Sequence, residues 1–314
     1  MKKISIIVPC YNEQELIQLF YEAVQKVYET KIVPIWPQYG LEYWFIDDGS
    51  TDNTLAAFQQ LAQQDLDQVH YVSFSRNFGK EAALYAGLQH ATGDLVAVMY
   101  VDLQDPPTLL PQMISGILEE HYDVVGTKRT DRKGEPVIRS FFSNAFYGFI
   151  NAISDTKIER GARDYRLMTR QVVDAVLNLP EYNRFSKGLF SWVGFKTKYL
   201  SYENQDRAAG HTHWSFLDLV SYSIDGIINF SDKPLALASF FGLASFIIAV
   251  LAMIFIVVRA LIFGNPTVGW PSMVTIMLML GGLQLFCLGI VGKYISKAYL
   301  ETKHRPIYIS KTEK

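Results

Sequence analysis

Residues 41–52 combine the pattern of a buried strand with an acidic turn. Leu41-Glu-Tyr-Trp-Phe-Ile46 is rich in aromatic and branched apolar side chains, and it runs directly into Asp47-Asp48-Gly49-Ser50-Thr51-Asp52. An apolar run that ends in Asp and Gly is typical of a strand that stops at a turn. Ser50 or Thr51 then supplies an N-cap for a helix over residues 51–62. The stretch therefore predicts a strand, an acidic turn and a helix in succession.

The same alternation continues on both sides of this unit. Further apolar runs predict strands at residues 4–9, 69–73, 95–101 and 123–127. Helical patterns occur between them at residues 13–28 and 79–91. Strands that alternate with helices predict an α/β fold, a Rossmann-like parallel-type sheet with helices on both faces. In such sheets ligands bind outside the carboxyl ends of the strands, and three polar clusters fall there, at residues 9–13, 47–52 and 102–105.

Composition and missing motifs exclude several classes of protein. The chain has 314 residues, of which 49% are hydrophobic and 19% charged, so low-hydrophobicity disorder is ruled out. A net charge of −2 gives no support for a nucleic-acid partner. The two cysteines, Cys10 and Cys287, provide neither a disulfide framework nor a zinc motif. No Gly-x-Gly-x-x-Gly follows the first strand and no Gly-Lys-Ser/Thr loop occurs, which argues against dehydrogenases and nucleotide hydrolases.

Two long apolar segments lie near the C-terminus. Leu235–Val258 would be about 36 Å long as a helix, which exceeds the roughly 30 Å hydrocarbon core of a bilayer. Ser272–Gly292 is the second segment, the helix-breaking residues 264–271 separate the two, and Arg259 is the one charge in the whole region. The pattern predicts a hairpin of two transmembrane helices. Two buried helices of a soluble core are the alternative.

Charge patterning orients this hairpin and divides the chain. Six Lys and Arg residues against two Glu follow Gly292, whereas residues 264–271 carry no charge, so the positive-inside rule places the tail and the N-terminal domain in the cytoplasm. Polar residues recur every three or four positions over 215–231, which predicts an amphipathic helix in the membrane interface. A helix docked on the soluble domain is the alternative. The predicted divisions are a cytoplasmic domain (1–213), the amphipathic helix (214–233), two transmembrane helices (234–292) and a cytoplasmic basic tail (293–314).

Side chains suited to a nucleoside follow the first two strands. Tyr11, Asn12 and Glu13 place a ring, an amide and a carboxylate after the first strand, and the acids of residues 47–52 follow the second. A ring can stack on a base, and carboxylates can accept hydrogen bonds from sugar hydroxyls. Roles as turn residues and helix caps are the alternative for Ser50 and Asp52.

Five ordered motifs give the chain a family resemblance. They are Ile7-Val-Pro-x-Tyr-Asn-Glu13, Asp47-Asp-Gly-Ser-x-Asp52, Arg76-Asn-Phe-Gly-Lys80, Asp102-Leu-Gln-Asp-Pro-Pro107 and Gly161-x-x-Asp164-Tyr-Arg166-Leu167. Together they resemble the family 2 glycosyltransferases, and more narrowly the polyprenyl-phosphate glycosyltransferases related to dolichol-phosphate mannose synthase. The two-helix anchor is similar to the bacterial branch that loads undecaprenyl phosphate with glucose or N-acetylglucosamine. The resemblance covers nearly the whole chain and implies a GT-A fold for the cytoplasmic domain.

The resemblance also implies roles for individual residues. The donor nucleotide sugar would be bound by Pro9, Tyr11, Asn12, Glu13, Asp48, Asn77, Lys80, Asp102 and Arg207. The acceptor phosphate would be bound by Arg129, Arg139 and Ser143. The catalytic residues would be Asp164 and Asp102. The family role of Asp164 is catalytic base, but a phosphate monoester has a second pKa of about 6 and needs little help to lose its proton. Orientation of the acceptor or of a basic neighbour, or an ion pair with Arg163 or Arg166, are the alternatives for Asp164.

A divalent cation, Mg²⁺ or Mn²⁺, is the cofactor that the resemblance implies. The family motif is Asp-x-Asp, often followed by x-Gln, and its oxygens suit a hard cation that bridges the donor diphosphate. Asp102 and Gln104 match the second acid and the amide, but Tyr100 stands where the first acid is expected. A neutral phenol is a poor metal ligand. Either the chain is a variant impaired at this acid, which we favour, or Asp102, Gln104 and the donor phosphates suffice.

The sequence therefore predicts an inverting, metal-dependent transferase on the cytoplasmic face of the cell membrane. It would move glucose or N-acetylglucosamine from a UDP-sugar to undecaprenyl phosphate, and related anchors suggest a homotetramer. A processive polysaccharide synthase is one alternative, but it would need more membrane spans and a Gln-x-x-Arg-Trp motif that the chain lacks. A catalytically inactive scaffold that binds nucleotide sugars is the other.

Overall fold

The computed structural model describes residues 1–129, 159, 161–179, 181–202, 227–229, 231–263 and 269–314. Several predicted features lie outside these residues. They are the acceptor-phosphate pair Arg139 and Ser143, the donor-binding Arg207 and most of the amphipathic helix at 214–233.

Strands and helices alternate along the N-terminal part of the chain, as the sequence predicts. The strands are β1 Lys2–Cys10, β2 Tyr39–Asp47, β3 Val69–Phe74, β4 Leu95–Val98, β5 Val124–Arg129, β6 Ala162–Thr169, β7 Thr197–Tyr202 and β8 Ser310–Glu313. The helices are α1 Ile17–Val27, α2 Thr54–Gln64, α3 Lys80–His90, α4 Leu110–Leu118, α5 Arg170–Leu177, α6 Ser186–Trp192, α7 Lys233–Phe263 and α8 Trp270–Thr302. A π-helical turn at Tyr28–Ile32 extends α1, and a 3₁₀ turn at Pro107–Leu109 precedes α4.

The strands form one mixed sheet in the order β7-β5-β6-β4-β1-β2-β3-β8. Strands β4, β1, β2 and β3 are parallel, as predicted. Strand β6 differs, because it lies antiparallel between β4 and β5, and β8 is antiparallel to β3. Strand direction depends on how distant segments pair, and local hydrophobic patterns do not encode it.

Helices cover both faces of the sheet. Alternate residues of β1 point to opposite faces, so Ile4, Ile6 and Val8 pack with the core formed by α1, α2 and α4. Ile7 packs on the other face with Leu84 of α3 and the valines of α5. Because helices bury both faces, ligands are expected at the carboxyl ends of the parallel strands. We call this end of the sheet the accessible edge.

Residues 293–314, which the sequence predicts to be a basic tail, include regular secondary structure. Helix α8 continues past Gly292 to Thr302, and the chain then returns to the sheet as β8. Val72 pairs with Glu313, and the backbone N–H of Lys314 donates to the carbonyl of Tyr71 at 3.0 Å. The chain after the apolar helices therefore closes the edge of the sheet at β3.

Helices α7 and α8 present apolar side chains to the outside. Their segments Lys233–Ile256 and Ile276–Thr302 are long and apolar enough to cross a membrane. Large side chains such as Phe240, Phe246 and Leu278 are more than 60% exposed. This exposure argues against the alternative of buried helices in a soluble core, because such helices would cover these side chains.

Glu301, near the end of α8, fastens this helix to the sheet domain. Its carboxylate accepts hydrogen bonds from the backbone N–H groups of Tyr182 and Asn183, each at 3.0 Å, and from the Asn183 side-chain amide at 3.0 Å. Lys297 adds a bond from its ammonium to Asn183 Oδ1 at 3.2 Å. Residues 182–183 are therefore held by the last turns of α8.

Replacing Glu301 with alanine should release this loop. Hydrogen bonds to charged groups contribute about 1.5–3 kcal/mol, so the amides of Tyr182 and Asn183 should exchange with deuterium about tenfold faster or more. Hydrogen–deuterium exchange of the detergent-solubilised full chain measures this. Glu301→Gln keeps one carbonyl acceptor and should give an intermediate rate, and Thr302→Ala on the next residue is the matched control. Unchanged exchange in Glu301→Ala would show that the carboxylate does not hold the loop.

Candidate active site

The loops after β1 and β2 are joined by hydrogen bonds at the accessible edge of the sheet. The side-chain oxygen of Asn12 accepts from the backbone N–H of Thr51 at 2.8 Å, and the backbone N–H of Asn12 donates to Ser50 Oγ at 2.9 Å. Asn12 adopts a left-handed conformation, φ 56°, which Asn tolerates better than most residues. Asn12 thus holds the two loops together, while the neighbouring Tyr11 is 37% exposed and available to stack on a ligand.

Asp52 has the turn role that the sequence left open, and the N-cap of α2 is Asn53 instead of the predicted Ser50 or Thr51. Its carboxylate accepts from the backbone N–H of Thr54 at 3.0 Å, at the start of α2, and from the backbone N–H of Gln14 at 3.3 Å. The backbone N–H of Glu13 donates to Thr54 Oγ1 at 3.0 Å. These contacts position the backbone of residues 13–14 beside the start of α2.

The paired acids Asp47 and Asp48 support the loop after β3. Asp48 Oδ1 accepts from the backbone N–H groups of Phe78 at 2.7 Å and Gly79 at 3.0 Å. Asp47 accepts from the Ser73 hydroxyl at 2.7 Å and from the backbone N–H of Ser50 at 2.8 Å. Both acids are buried, so in this structure they order the loops that carry the predicted donor-binding residues.

Burial raises the pKa of Asp48 to about 6, against the lowering effect of the Phe78 and Gly79 N–H groups. Because the folded pKa lies above the ordinary 3.8, the folded state binds this proton more tightly than the unfolded chain does. The contribution of Asp48 to stability therefore falls as pH rises through the window from about 4 to 6.

Replacing Asp48 with asparagine should remove this part of the pH dependence, because a neutral amide does not titrate. The thermal midpoint of the variant, relative to that of the wild type, should rise between pH 4 and pH 7. Midpoints measured across that range on the full chain in detergent test this. A difference between the two proteins that stays constant with pH would contradict it.

Strand β6 brings Asp164 to the same edge. Val98 of β4 pairs with Arg166, and the antiparallel register then places Asp164 opposite Tyr100, just beyond the end of β4. Lys80, the first residue of α3, forms an ion pair with Asp164, and the Tyr100 hydroxyl donates to Asp164 Oδ2 at 3.2 Å. The Lys80 ammonium also lies 5.0 Å from the centre of the Tyr100 ring. Asp164, Lys80 and Tyr100 therefore form one cluster.

The electrostatics of this cluster keep Asp164 ionised. Burial alone raises the pKa of Asp164, but the positive charges of Lys80, Lys187 and Arg166 outweigh it and hold that pKa well below its usual range. Burial and the charge of Asp164 raise the pKa of Tyr100, so its phenol stays protonated and can donate a hydrogen bond. The cluster is an anionic carboxylate surrounded by cations.

Arg163 organises a second cluster on the opposite face of β6, as strand alternation requires. Its Nε donates to Asp105 Oδ1 at 3.1 Å, and its Nη2 donates to Gln104 Oε1 at 3.4 Å. The Tyr202 hydroxyl also donates to Asp105. Arg163 therefore connects β6 to the loop that follows β4, and Asp102 lies in that same loop with its Oδ1 accepting from the backbone N–H of Gln104 at 3.2 Å.

Residues that the sequence did not single out complete the site. Glu81 accepts from the backbone N–H of Ser186 at 2.9 Å and from its hydroxyl, which ties α3 to α6. Asp105 falls inside the motif Asp102–Pro107 and Lys187 lies outside the five motifs, and for neither residue does anything local indicate which side chains it meets. The alternation of Arg163, Asp164 and Arg166 along a strand was the available signal, because it places Arg163 on the face opposite the other two.

The remaining predicted residues lie at the same edge or near it. Pro9 is buried in β1, Asn77 is exposed in the loop after β3, and Arg129 ends β5. The structure therefore brings the predicted donor residues of the described chain to one edge of the sheet, beside Asp164.

The donor set of this site does not fit a divalent cation. Mg²⁺ and Mn²⁺ prefer carboxylate and carbonyl oxygens. Here the Tyr100 hydroxyl donates a hydrogen bond to Asp164, and the Gln104 oxygen accepts one from the guanidinium of Arg163. Among the described residues no three His, Cys, Asp or Glu side chains are grouped so as to hold a metal ion. Asp102 is the one expected metal carboxylate in this loop, and its Oδ1 accepts from the backbone N–H of Gln104.

This mixed α/β sheet, whose loops gather polar and charged side chains at the carboxyl ends of its parallel strands, defines a glycosyltransferase of the GT-A type. Residues 5–177 match the family described as Glycosyl transferase family 2, and the chain belongs to this family. It is 43% identical to the glycosyltransferase CsbB of Bacillus subtilis, over 98% of this chain and 91% of the relative. It is 42% identical to the bactoprenol glucosyl transferase of Shigella phage SfV, over 99% of each chain. A prophage bactoprenol glucosyl transferase homolog of Escherichia coli K12 is 41% identical over 99% of each chain.

Solved structures of glycosyltransferases are similar at lower levels of identity. A mannosyltransferase of Pyrobaculum calidifontis in complex with GDP-mannose and Mn²⁺ is 17% identical, with a TM-score of 0.44 over 95% of this chain and 85% of that chain. Glucosyl-3-phosphoglycerate synthase of Mycobacterium tuberculosis in complex with Mn²⁺ and UDP-glucose is also 17% identical, with a TM-score of 0.44 over 72% of this chain and 77% of that chain.

Proposed function

We propose that this glycosyltransferase moves glucose from UDP-glucose to polyprenyl (undecaprenyl) phosphate, with inversion, on the cytoplasmic face of the cell membrane. The names of the full-length relatives support glucose as the sugar and bactoprenol as the acceptor lipid. The two exposed apolar helices support association with a membrane.

The contact between α8 and the active-site region is the observation that carries this proposal. Glu301 holds residues 182–183, and a few residues further along Ser186 bonds to Glu81. Glu81 is adjacent to Lys80, which pairs with Asp164. A helix that is long and apolar enough to cross a membrane therefore ends beside the candidate site, where the phosphate of a membrane lipid would arrive.

The residues of the cluster suit this transfer. The acceptor phosphate is mostly dianionic at pH 7, since its second pKa is about 6, so its oxygen can attack the anomeric carbon without a strong base. Asp164, held ionised by its cationic neighbours, would fix the position of Lys80 instead of removing a proton. Arg129, at the end of β5 on the same edge, would contact the acceptor phosphate together with Arg139 and Ser143.

The orientation in the membrane follows from charge. Basic residues are abundant after Gly292 and absent from residues 264–271, so the sheet domain and the end of α8 would both face the cytoplasm. The domain divisions at 213, 233 and 292 remain part of this proposal, with residues 293–314 now including the last turns of α8 and β8.

A transfer assay with the purified full chain tests the proposal. Radiolabelled UDP-glucose and undecaprenyl phosphate should yield a labelled lipid product, whereas UDP-N-acetylglucosamine should give markedly less. Label in the lipid from another nucleotide sugar alone would contradict the choice of glucose. UDP-glucose binding without transfer in the wild type and in Tyr100→Asp would support the inactive-scaffold alternative, for which the phenol at position 100 is the reason.

A further inference from the structure

Lys80 and Arg163 lie close to Tyr100 and Gln104, two positions at which the family motif predicts metal ligands. We propose that this chain binds the donor diphosphate without a divalent cation, and that Lys80 and Arg163 supply the positive charge instead. The inference rests on the proposed function, since it concerns how the same donor is held. It replaces the expectation of a metal-dependent or impaired enzyme with a metal-free one.

The phenol at position 100 is the first observation. Its hydroxyl is directed at Asp164, to which it donates at 3.2 Å, so its oxygen is a hydrogen-bond donor in this cluster and not an anionic ligand. The Lys80 ammonium contacts the same carboxylate and lies over the Tyr100 ring. An acid at position 100 would place a second carboxylate next to Asp164. The phenol avoids that repulsion and leaves Lys80 with one fewer negative neighbour.

The contact between Gln104 and Arg163 is the second observation. The amide oxygen that would ligate a metal accepts from Arg163 Nη2 at 3.4 Å, and the same guanidinium is anchored on Asp105. A divalent cation at that oxygen would lie close to a fixed positive charge. A diphosphate oxygen in the same region would instead be attracted to it, because Arg has five N–H donors in a fork that matches phosphate oxygens.

Both cations are partly exposed near the carboxyl end of β4, Lys80 on one face of β6 and Arg163 on the other. The side chain of Lys80 is 34% exposed and that of Arg163 is 27% exposed, whereas the side chains of their partners Asp164 and Asp105 are 11% and 1% exposed. The carboxylates are thus below and the cations nearer the solvent. Buried acids in this arrangement fix the cations in place, so the positive charge is preorganised before the donor binds.

The transfer step balances without a metal. The acceptor phosphate oxygen forms a bond to the anomeric carbon, and the bond from that carbon to the UDP oxygen breaks. The electron pair leaves with UDP, whose diphosphate gains negative charge. Hydrogen bonds from the Lys80 ammonium and the Arg163 guanidinium would strengthen as that charge grows. No proton has to move.

Binding of UDP provides a test that does not depend on turnover. Calorimetry of UDP with the full chain in detergent should give a dissociation constant that changes less than about threefold between excess EDTA and millimolar Mn²⁺. Lys80→Met should weaken UDP binding about tenfold or more in EDTA, because a charge-assisted hydrogen bond is lost. Lys198→Met, which removes an ammonium paired with Glu120 away from the site, should bind UDP like the wild type. Tightening of wild-type binding by Mn²⁺ of tenfold or more would overturn the proposal.

Variants at position 100 sharpen this test. Tyr100→Asp supplies the missing acid, so UDP binding should weaken in EDTA and become stronger with Mn²⁺. Tyr100→Phe keeps the position neutral and should remain insensitive to Mn²⁺. If Tyr100→Asp responds to Mn²⁺ no more than Tyr100→Phe does, position 100 does not control metal use and the proposal is wrong.

Transfer assays in the same two buffers separate this inference from the proposed function. Metal-independent UDP binding without glucose transfer would refute the proposed function and leave the inference standing. Glucose transfer that stops in EDTA and returns with Mn²⁺ would refute the inference and support the function. Absence of UDP binding in both buffers would refute both.

Discussion

Replacing Asp164 with asparagine is expected to lower the rate of sugar transfer by about two to three orders of magnitude. Asp164 is the largely buried carboxylate whose pKa Lys80, Lys187 and Arg166 lower, and it also accepts a hydrogen bond from Tyr100. Without its charge the three cations lose the carboxylate that they share and repel one another more strongly, and Lys80 loses its ion-pair partner. The loss should therefore appear mainly in the catalytic rate.

Initial rates of transfer and the affinity for UDP, both measured on the full chain, test this expectation. Asp174→Asn is the matched control, because that carboxylate lies 3.7 Å from Arg170 on the surface of α5 and is 59% exposed. Its transfer rate should stay within about twofold of the wild type. A variant at Asp164 that keeps more than a tenth of the wild-type rate would contradict the role given to this residue.

Because an asparagine variant could also fold poorly, the double variant Asp164→Asn/Lys80→Met provides a second measurement. If the two residues act as one unit, the double variant should be about as slow as the slower single variant. If the two losses multiply, the residues act separately and the ion pair is not the working unit. Folding of each variant is checked by its thermal midpoint.

The pH dependence of the transfer rate bears on the same residue. The pKa of Asp164 is held well below its usual range, so its contribution to stability is present above the unfolded pKa of about 3.9 and is lost only as pH falls towards the folded value. Between pH 5 and pH 8 the charge of Asp164 therefore does not change. Any change of the transfer rate with pH in that window should therefore come from a group other than Asp164. It should also be seen in Lys198→Met, which keeps the charge of Asp164.

Replacing Gly49 with alanine should be the most damaging single change at the edge of the sheet outside the charged cluster. Gly49 has φ +68°, and a Cβ there would lie 2.3 Å from the carbonyl carbon of Arg76 and 2.6 Å from the backbone nitrogen of Asn77. Those atoms are backbone, so the loop after β3 would have to move. Strain at positive φ adds about 1–2 kcal/mol. We expect a total loss of about 3–4 kcal/mol in the free energy of unfolding.

Gly194→Ala is the matched control for this change. Gly194 has a similar φ of +75°, but its Cβ would meet just one atom within range, the Trp192 carbonyl oxygen at 4.0 Å. Gly194→Ala should therefore cost only the backbone strain of about 1–2 kcal/mol. Thermal midpoints of both variants and their affinity for UDP are the measurements. Equal losses in the two variants would show that close packing at Gly49 contributes nothing beyond its φ.

Much of the fold follows from patterns that are local in the sequence. The strand and helix alternation up to β5 is observed, with β4 ending at Val98 before the predicted Val101. The predicted parallel pairing is observed for β1 to β4, whereas β6 and β8, where no strand was predicted, are antiparallel to their neighbours. Patterns of apolar residues report which face is buried, but the direction of a strand depends on loops and on pairing partners far away.

The candidate site was also only partly predictable from the sequence. The motifs correctly indicate which loops gather at the accessible edge, because carboxyl ends of parallel strands always meet there. They left a turn or cap role open for Asp52, but they did not indicate that Asp47 and Asp48 support neighbouring backbone, or that Asp105 is paired with Arg163. An acidic residue in a motif looks the same whether it faces a ligand or an N–H group.

The sequence by itself determined the alternating elements, the acidic loops, the two apolar helices and membership of the glycosyltransferase family. Each of these features depends on residues that are close together in the chain. The tertiary structure alone decided that Asp164 lies opposite Tyr100, that Arg163 reaches Gln104, and that Glu301 joins α8 to the loop beside the site. These contacts join segments 59 to 119 residues apart in the chain. They form only when the strands pair and helices pack on both faces of the sheet, so no local pattern can predict them.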